Sequence, residues 1–363
     1  MKLKFVDQPY QTDAVNAICD IFDGCEVKDS LFTIESNKGS LYVQDTTAIG
    51  GDYFIGHSNK LSIDDYTMLE NVQHIQEEND IQMSKSLQNR NFTIEMETGT
   101  GKTYVYTKTI LEMNKRYGFT KFIIVVPSIA IKEGVYSSLN ATKDHFMEKY
   151  DNVVYNYFVY DSNHLERIRE FATSTNIEIM IINIDAFRKS FTDPSKETKA
   201  NLIHRISDRL NGNKPIDLIS GTNPIVIIDE PQSVDNTAKS KEAIASLRPL
   251  CTLRYSATHK ELYNLMYRLT PVDAYQENLV KHIEVASITS NEASTKPYVK
   301  LISVSDKNGF SCRLEIYVND TKTGIINKKA VTARTGDDLW ELSHEVDYYK
   351  DSGYILDNID CFP

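Results

Sequence analysis

The stretch Met96-Glu97-Thr98-Gly99-Thr100-Gly101-Lys102-Thr103 restricts the fold more than any other part of this 363-residue chain. It follows Phe92-Thr93-Ile94-Glu95, whose alternation predicts a strand. It leads into Tyr104 to Tyr117, whose pattern predicts a helix closed by Gly118. A strand, a turn of small residues and a helix opening on Lys-Thr is the context of a phosphate-binding loop. Small residues let backbone N–H groups turn inward around phosphates, and the helix N-terminus adds the positive end of its dipole. Thr98, Gly99, Thr100, Gly101, Lys102 and Thr103 are therefore the candidate cradle for ATP. Lys102 suits the β- and γ-phosphates, and Thr103 can place its hydroxyl on Mg²⁺. The general pattern has a glycine where this chain has Met96.

Several classes are disfavoured. No apolar run approaches the ~20 residues that span a bilayer, so no membrane partner is expected. Met1-Lys2-Leu3-Lys4-Phe5-Val6-Asp7 lacks the apolar core of a signal peptide. Cys19, Cys25, Cys251, Cys312 and Cys361 are dispersed without a CxxC pair, which fits a reducing, cytoplasmic setting and argues against zinc. The formal net charge of −11 weighs against a broad nucleic-acid coat, because such affinity rests on counterion release by Lys and Arg. A local basic track remains compatible with it.

Residues 7–23 carry an amphipathic helix pattern, with Ala14, Ile18, Ile21 and Phe22 on one side and Pro9 in the first turn. Gln11 follows an aromatic residue at the start of this helix. Its amide can donate and accept at once and so read an adenine edge; the alternative is a solvated glutamine. Residues 25–63 have hairpin composition, with short runs at Leu31–Ile34, Ser40–Val43 and Tyr53–Ile55. Residues 64–90 are polar and mostly helical in pattern. Beyond them, continuous apolar runs at 121–126, 177–184 and 225–228, and a weaker one at 252–256, alternate with helical patterns at 129–149, 163–173 and 238–247. That alternation predicts an α/β fold, a parallel sheet with helices on both faces. A polar helical stretch at 195–212 reads as a surface insertion. Past about residue 285 the pattern becomes β-rich: Tyr298 to Val304, a turn at Lys307-Asn308-Gly309, then Ser311 to Val318 with Cys312, Leu314, Ile316 and Val318 on a buried face.

Ile225-Val226-Ile227-Ile228-Asp229-Glu230-Pro231-Gln232 puts two carboxylates at the end of a buried strand. ATP hydrolysis needs one acid to hold Mg²⁺ through its water shell and another to polarise the attacking water. Asp229 suits the first role and Glu230 the second; a solvent-facing acid pair is the bland alternative. Ser256-Ala257-Thr258 follows the next strand, and Ser256 and Thr258 can link the acid pair to its neighbours.

The order Tyr10-Gln11, Glu97 to Thr103, Asp229-Glu230-Pro231-Gln232 and Ser256-Ala257-Thr258 resembles the first RecA-like lobe of superfamily 2 P-loop ATPases, for which the wording Thr-Gly-Thr-Gly-Lys-Thr is typical. Met96-Glu97, the DEPQ acid box, Ser256-Ala257-Thr258-His259 and the run from Pro271-Val272-Asp273-Ala274-Tyr275 to Val285 resemble the Res subunit of type III restriction endonucleases. The resemblance implies ATP and Mg²⁺ as cofactors, and a catalytic set of Lys102, Asp229, Glu230 and Gln232. It implies a metal site at Thr103 and Asp229, and coupling through Ser256 and Thr258. Nucleic-acid contacts would come from Ser128, in Val126-Pro127-Ser128, and Arg188, in Ile182 to Arg188; a helix N-cap and a solvated surface cation are the competing readings.

On this view residues 1–24 are a Q-motif-like N-terminal helix and 25–90 an inserted hairpin and helical region. Residues 91–290 are the first RecA-like lobe, and 291–363 a β-rich segment. The second RecA-like lobe with its arginine, a Gln-x-x-Gly-Arg-x-x-Arg pattern, and a nuclease module of the Pro-Asp then Glu-x-Lys kind are not found in the sequence. Glu197-Thr198-Lys199 lacks the preceding Pro-Asp. The resemblance thus suggests the N-terminal portion of a motor subunit acting on double-stranded DNA with a Mod methyltransferase partner. A superfamily 2 helicase or translocase of another defence or repair system, and a stand-alone nucleotide-responsive binding module, are the alternatives.

Overall fold

Continuous apolar strands need cover on both faces, and the computed structural model, which describes residues 5–28, 30–34, 54–190, 193–280, 297–307, 309–350 and 353–359, supplies it. Two compact units are present, up to His282 and from Ile283 onward. In chain order the first contains α1 (Pro9–Cys19), β1 (Ser30–Ile34), β2 (Phe54–Ser58), α2 (Asp65–Glu78), β3 (Asn91–Met96), α3 (Lys102–Tyr117), β4 (Lys121–Val126) and α4 (Ile129–Lys149). It continues with β5 (Tyr155–Val159), α5 (Glu166–Thr173), β6 (Ile177–Asn183), α6 (Pro215–Gly221), β7 (Ile225–Asp229), α7 (Pro231–Val234), α8 (Ala238–Ser246), β8 (Cys251–Ser256), β9 (Leu265–Leu269) and α9 (Pro271–Gln276).

Seven of these strands form one sheet in the order β5-β6-β4-β7-β8-β3-β9, and every pairing in it is parallel. Alternate residues of the central strands enter two different cores. Phe122, Ile124, Ile179, Ile181, Ile225 and Ile227 pack in the core that also contains α1, α3 and α4 side chains. Ile123, Val125, Met180, Ile182, Val226 and Ile228 pack with residues of α5, α6 and α8. An apolar residue is needed at every step, which is why the sequence pattern there is unbroken. The parallel arrangement sends the ends of β3, β7 and β8 to one rim, where the motifs lie.

Three local expectations differ from the structure. The 195–212 stretch is not a helix but three short 3-10 turns, Pro194–Lys199, Leu202–His204 and Asp208–Leu210. Asp193 caps the first by accepting from Ser195 N–H, and such Asp, Asn and Ser bonds compete with a helical ladder. In 64–90 the helix stops at Glu78; Asp80, Gln88, Asn89 and Arg90 have positive φ, and the Gln76 side chain takes the Ser84 N–H. Ile184 belongs to a 3-10 turn after β6 rather than to the strand. The edge strands β5 and β9 were not separated from their surroundings by pattern. In the hairpin region β1 pairs antiparallel with β2, and the Ser40–Val43 run falls outside the described residues.

Within the second unit β10 (Val299–Ser305), β11 (Ser311–Asn319) and β12 (Ile326–Ala333) form an antiparallel sheet, followed by α10 (Leu339–Leu342). Cys312, Leu314, Ile316 and Val318 pack against Leu339, Val346 and Tyr349, as their alternation requires. Among the described residues no helix is long and apolar enough to cross a membrane.

Lys121 is fully buried at the start of β4. Its ammonium donates to the Ser174 carbonyl and lies 5.7 Å from the Phe171 ring centre. Burial pulls its pKa down to about 8, and the Glu178 carboxylate only partly opposes this.

Replacing Ile227, fully buried in β7, by Ala is expected to lower unfolding free energy in urea by about 2–5 kcal/mol. The same change at Ile129, 69% exposed, should stay within about 0.5 kcal/mol. The depressed Lys121 value means the unfolded chain holds more protons above pH 8, so stability rises from there to about pH 10.5. Measured against Lys121→Met at each pH, wild type should gain about 3 kcal/mol over that window.

Candidate functional site

The chain between the last residue of β3, Met96, and the first of α3, Lys102, turns by using glycine where other residues would be strained. Gly99 has φ +85° and Gly101 +89°. A Cβ on Gly99 would meet nothing within 4 Å, whereas one on Gly101 would lie 2.7 Å from Gln11 Nε2. The loop is pinned from within and without. The Thr100 hydroxyl donates to the Glu97 carbonyl at 2.6 Å. The Thr100 carbonyl accepts from Tyr10 OH at 2.9 Å and from Gln11 Nε2 at 3.0 Å. Gln11 is thus not the solvated glutamine of the bland alternative: it is 8% exposed, and its amide grips the loop.

Asp229 closes β7, and Glu230 follows with φ 55°, a left-handed backbone that turns its side chain back towards the loop. The Lys102 ammonium lies 3.5 Å from Glu230 Oε1 and donates to the Met96 carbonyl at 3.4 Å. Glu230 Oε2 accepts from Gln232 Nε2 at 2.6 Å and from Ser256 Oγ at 2.7 Å. Ser256 Oγ also lies 3.0 Å from Gln232 Oε1 and accepts from the Thr258 N–H at 3.2 Å. Thr258 therefore enters the cluster through its backbone. Asp235, which ends α7, pairs with the buried Arg254 of β8, and Arg254 in turn donates to Asn91 Oδ1 at 2.9 Å. This pair ties the acid-box helix to the two neighbouring strands.

The two acids are electrostatically unlike. Burial, reinforced by the negative charge of Glu230, pushes the Asp229 carboxyl up to about 6. Burial also acts to raise Glu230, but the bonds from Gln232 and Ser256 and the Lys102 charge outweigh it and hold Glu230 below the usual range. Neighbouring carboxylates with separated affinities for protons suit separate tasks. Sequence reasoning missed Tyr106, whose hydroxyl donates to Asp229 Oδ2 at 3.3 Å. Its signal was spacing: three residues after Thr103 and four after Lys102, it shares their face of α3.

Ser128 caps α4, its hydroxyl accepting from the Ile131 N–H at 3.3 Å, and lies just past the end of β4. Arg188, beyond β6, pairs with Asp185 at 2.7 Å on a partly exposed surface. Neither belongs to the Lys102–Glu230 cluster. The donors that do gather there fit a magnesium nucleotide. Thr103 and Asp229 carry oxygens of the hard kind that Mg²⁺ prefers, and a cation bound mainly by water and phosphates needs no more than one or two protein oxygens. Among the described residues no group of three or more His, Cys, Asp or Glu could hold a metal ion alone.

The model of the family "Type III restriction enzyme, res subunit" matches residues 4–261, a span that contains every one of these groups. The Res subunit of the type III restriction-modification enzyme EcoP15I, from Escherichia coli, is 33% identical over 239 residues, covering 62% of this chain and 24% of that protein. The EcoPI Res subunit of Escherichia phage P1 is 33% identical over 244 residues, with the same coverages. This chain spans about a quarter of the length of these relatives. Among solved structures, a nuclease-deletion mutant of the type ISP restriction-modification enzyme LlaGI with a DNA substrate mimic overlaps loosely. Its TM-score is 0.35 at 11% identity, over 60% of this chain and 21% of that one. The chain belongs to the type III restriction enzyme res subunit family.

Gly101→Ala combines a strained φ with a collision against Gln11 and is expected to cost about 1–3 kcal/mol in urea unfolding. In a Gln11→Ala background the cost of Gly101→Ala should shrink by the part due to the collision, leaving the backbone strain.

Proposed function

We propose that this member of the res subunit family is the ATP-binding motor lobe of a type III restriction endonuclease. In the intact protein ATP hydrolysis would drive translocation or switching on double-stranded DNA, coupled to cleavage. The observation that carries the reading is the 3.5 Å approach of the Lys102 ammonium to Glu230, which joins the phosphate loop to the acid pair across β8. Family membership supports it, as does the presence of the whole set, from Gln11 to Thr258, within the matched residues.

When bound, Mg²⁺ would neutralise charge on the phosphate oxygens and ATP would present the γ-phosphoryl group for transfer to water. The backbone N–H groups of residues 98–103 would cradle the phosphates, those of Thr98 and Thr100 leaving their bonds to Glu97 and Lys102 exchanging the Glu230 carboxylate for phosphate oxygen. Thr103 and Asp229 would hold the metal side. Glu230, released by Lys102 and kept ionised by Gln232 and Ser256, would orient the attacking water and take its proton. Gln11 and Tyr10 would report occupancy of the adenine side to the Thr100 carbonyl. Ser256 and Thr258 would pass the state of the acids to β8 and its following loop. Ser128 and Arg188, just past β4 and β6, would touch the DNA backbone, the first through its backbone N–H or hydroxyl and the second as a cation. Sequence recognition would come from a Mod methyltransferase partner. A second RecA-like lobe would supply an arginine for charge on the γ-phosphate, and a nuclease domain would make the cut.

The 363-residue chain is expected to bind Mg-ATP, and Lys102→Ala should weaken that binding by about 10- to 100-fold in a fluorescent-nucleotide titration. Equal affinity in both would refute the site. Turnover by the chain alone should fall short of a complete motor by about 10³-fold or more, the worth of a missing arginine finger, as measured by phosphate release with and without DNA.

A further inference from the structure

α3 contributes more to the acid pair than Lys102. Tyr106, fully buried one turn further along, is the side-chain hydrogen-bond donor that reaches Asp229 among the described residues. Its ring cannot easily swing away. It packs edge-on against Tyr255, with ring centres 5.6 Å apart and planes at 67°, and Tyr255 sits directly opposite Asp229 in the β7–β8 register. The Tyr255 hydroxyl is held in turn by Thr109, again on α3, at 3.3 Å.

We propose that Tyr106 is a positioning residue for the metal site. By holding Oδ2 of Asp229, it would leave Oδ1 free to serve the Mg²⁺ water shell. The proposal rests on the nucleotide-binding reading above. A carboxylate at a strand end can rotate about two torsions, and a metal held through water needs one of its oxygens at a fixed place. Tyr106 shares a rigid helix with Thr103, the candidate direct ligand, so the hydroxyl that would touch the metal and the bond that aims the acid move as one body. The 3.3 Å separation is long for an O–H···O bond, leaving room for it to tighten when Asp229 is engaged.

The test uses the whole chain and a fluorescent ATP analogue, titrated without metal and then with Mg²⁺. Tyr106→Phe keeps the ring and its contact with Tyr255 but removes the donor. It is expected to bind the metal-free analogue as wild type does. The Mg²⁺ concentration giving half of the metal-dependent tightening should rise about tenfold. In an Asp229→Asn background, Tyr106→Phe should add no further shift, because its effect passes through that carboxylate. A wild-type Mg²⁺ response in Tyr106→Phe overturns the proposal. So does an equal shift in the Asp229→Asn background, or a matching loss of metal-free binding; either marks a packing role alone. Lys102→Ala separates this idea from its premise. If it binds the analogue as tightly as wild type, the nucleotide reading and the Tyr106 role fall together. If it loses binding while Tyr106→Phe titrates like wild type, only the Tyr106 role falls.

Discussion

A strand buried on both faces has no place for polar chemistry along its length. In this chain β4, β6 and β7 are apolar at nearly every step, and their side chains divide between two cores. Polar groups with work to do are therefore driven to the strand ends, and the all-parallel pairing collects those ends on one rim. Lys102, the acid pair and the serine of β8 meet there because β3, β7 and β8 all end on that rim.

At that rim β8 has a particular office. It lies between β7, which ends in Asp229, and β3, which ends at the loop. Its last residue, Ser256, bonds to Glu230, and its Arg254 anchors Asp235 beneath the acid-box helix. The acids are thus held from the side facing the loop, and Lys102 completes the span. Burying Arg254 and Asp235 together carries a desolvation cost that a plain apolar pair would avoid, so the pair argues for fixed geometry more than for stability.

How much of this could be read beforehand depends on whether the information is local. The loop at 98–103 and Asp229-Glu230 could be picked out as a candidate site because each is a contiguous string of residues whose types and spacing stand next to one another in the sequence. The parallel sheet was legible because double-sided burial leaves an unbroken apolar run. Strand order was not, since a crossover fixes its hand but not its neighbour. Edge strands β5 and β9 escaped because their outer sides tolerate polar residues, as at Asn156 and Arg268. The 195–212 stretch misled because its helical composition is undone by Asp193, which takes the Ser195 N–H, and by Asn201, whose side chain takes the Lys189 N–H and donates to the Asp185 carbonyl. Tyr106, Arg254 and the turn of Gln11 onto Thr100 join residues far apart in the chain, and nothing in their own segments announces it. Family membership adds the order of the motifs without adding these contacts.

Ser256 brings one hydroxyl proton to two oxygens, Glu230 Oε2 and Gln232 Oε1, at 2.7 and 3.0 Å. It can serve only one of them at a time, while its own lone pair is fixed by the Thr258 N–H. The cluster therefore has two settings with the same heavy-atom frame, told apart by a rotation about a single C–O bond. Glu230 Oε2 keeps the Gln232 amide donor in either setting, so the rotation changes the bonds it accepts from two to one, and the last residue of a strand can register a change at the acids without the strand having to move.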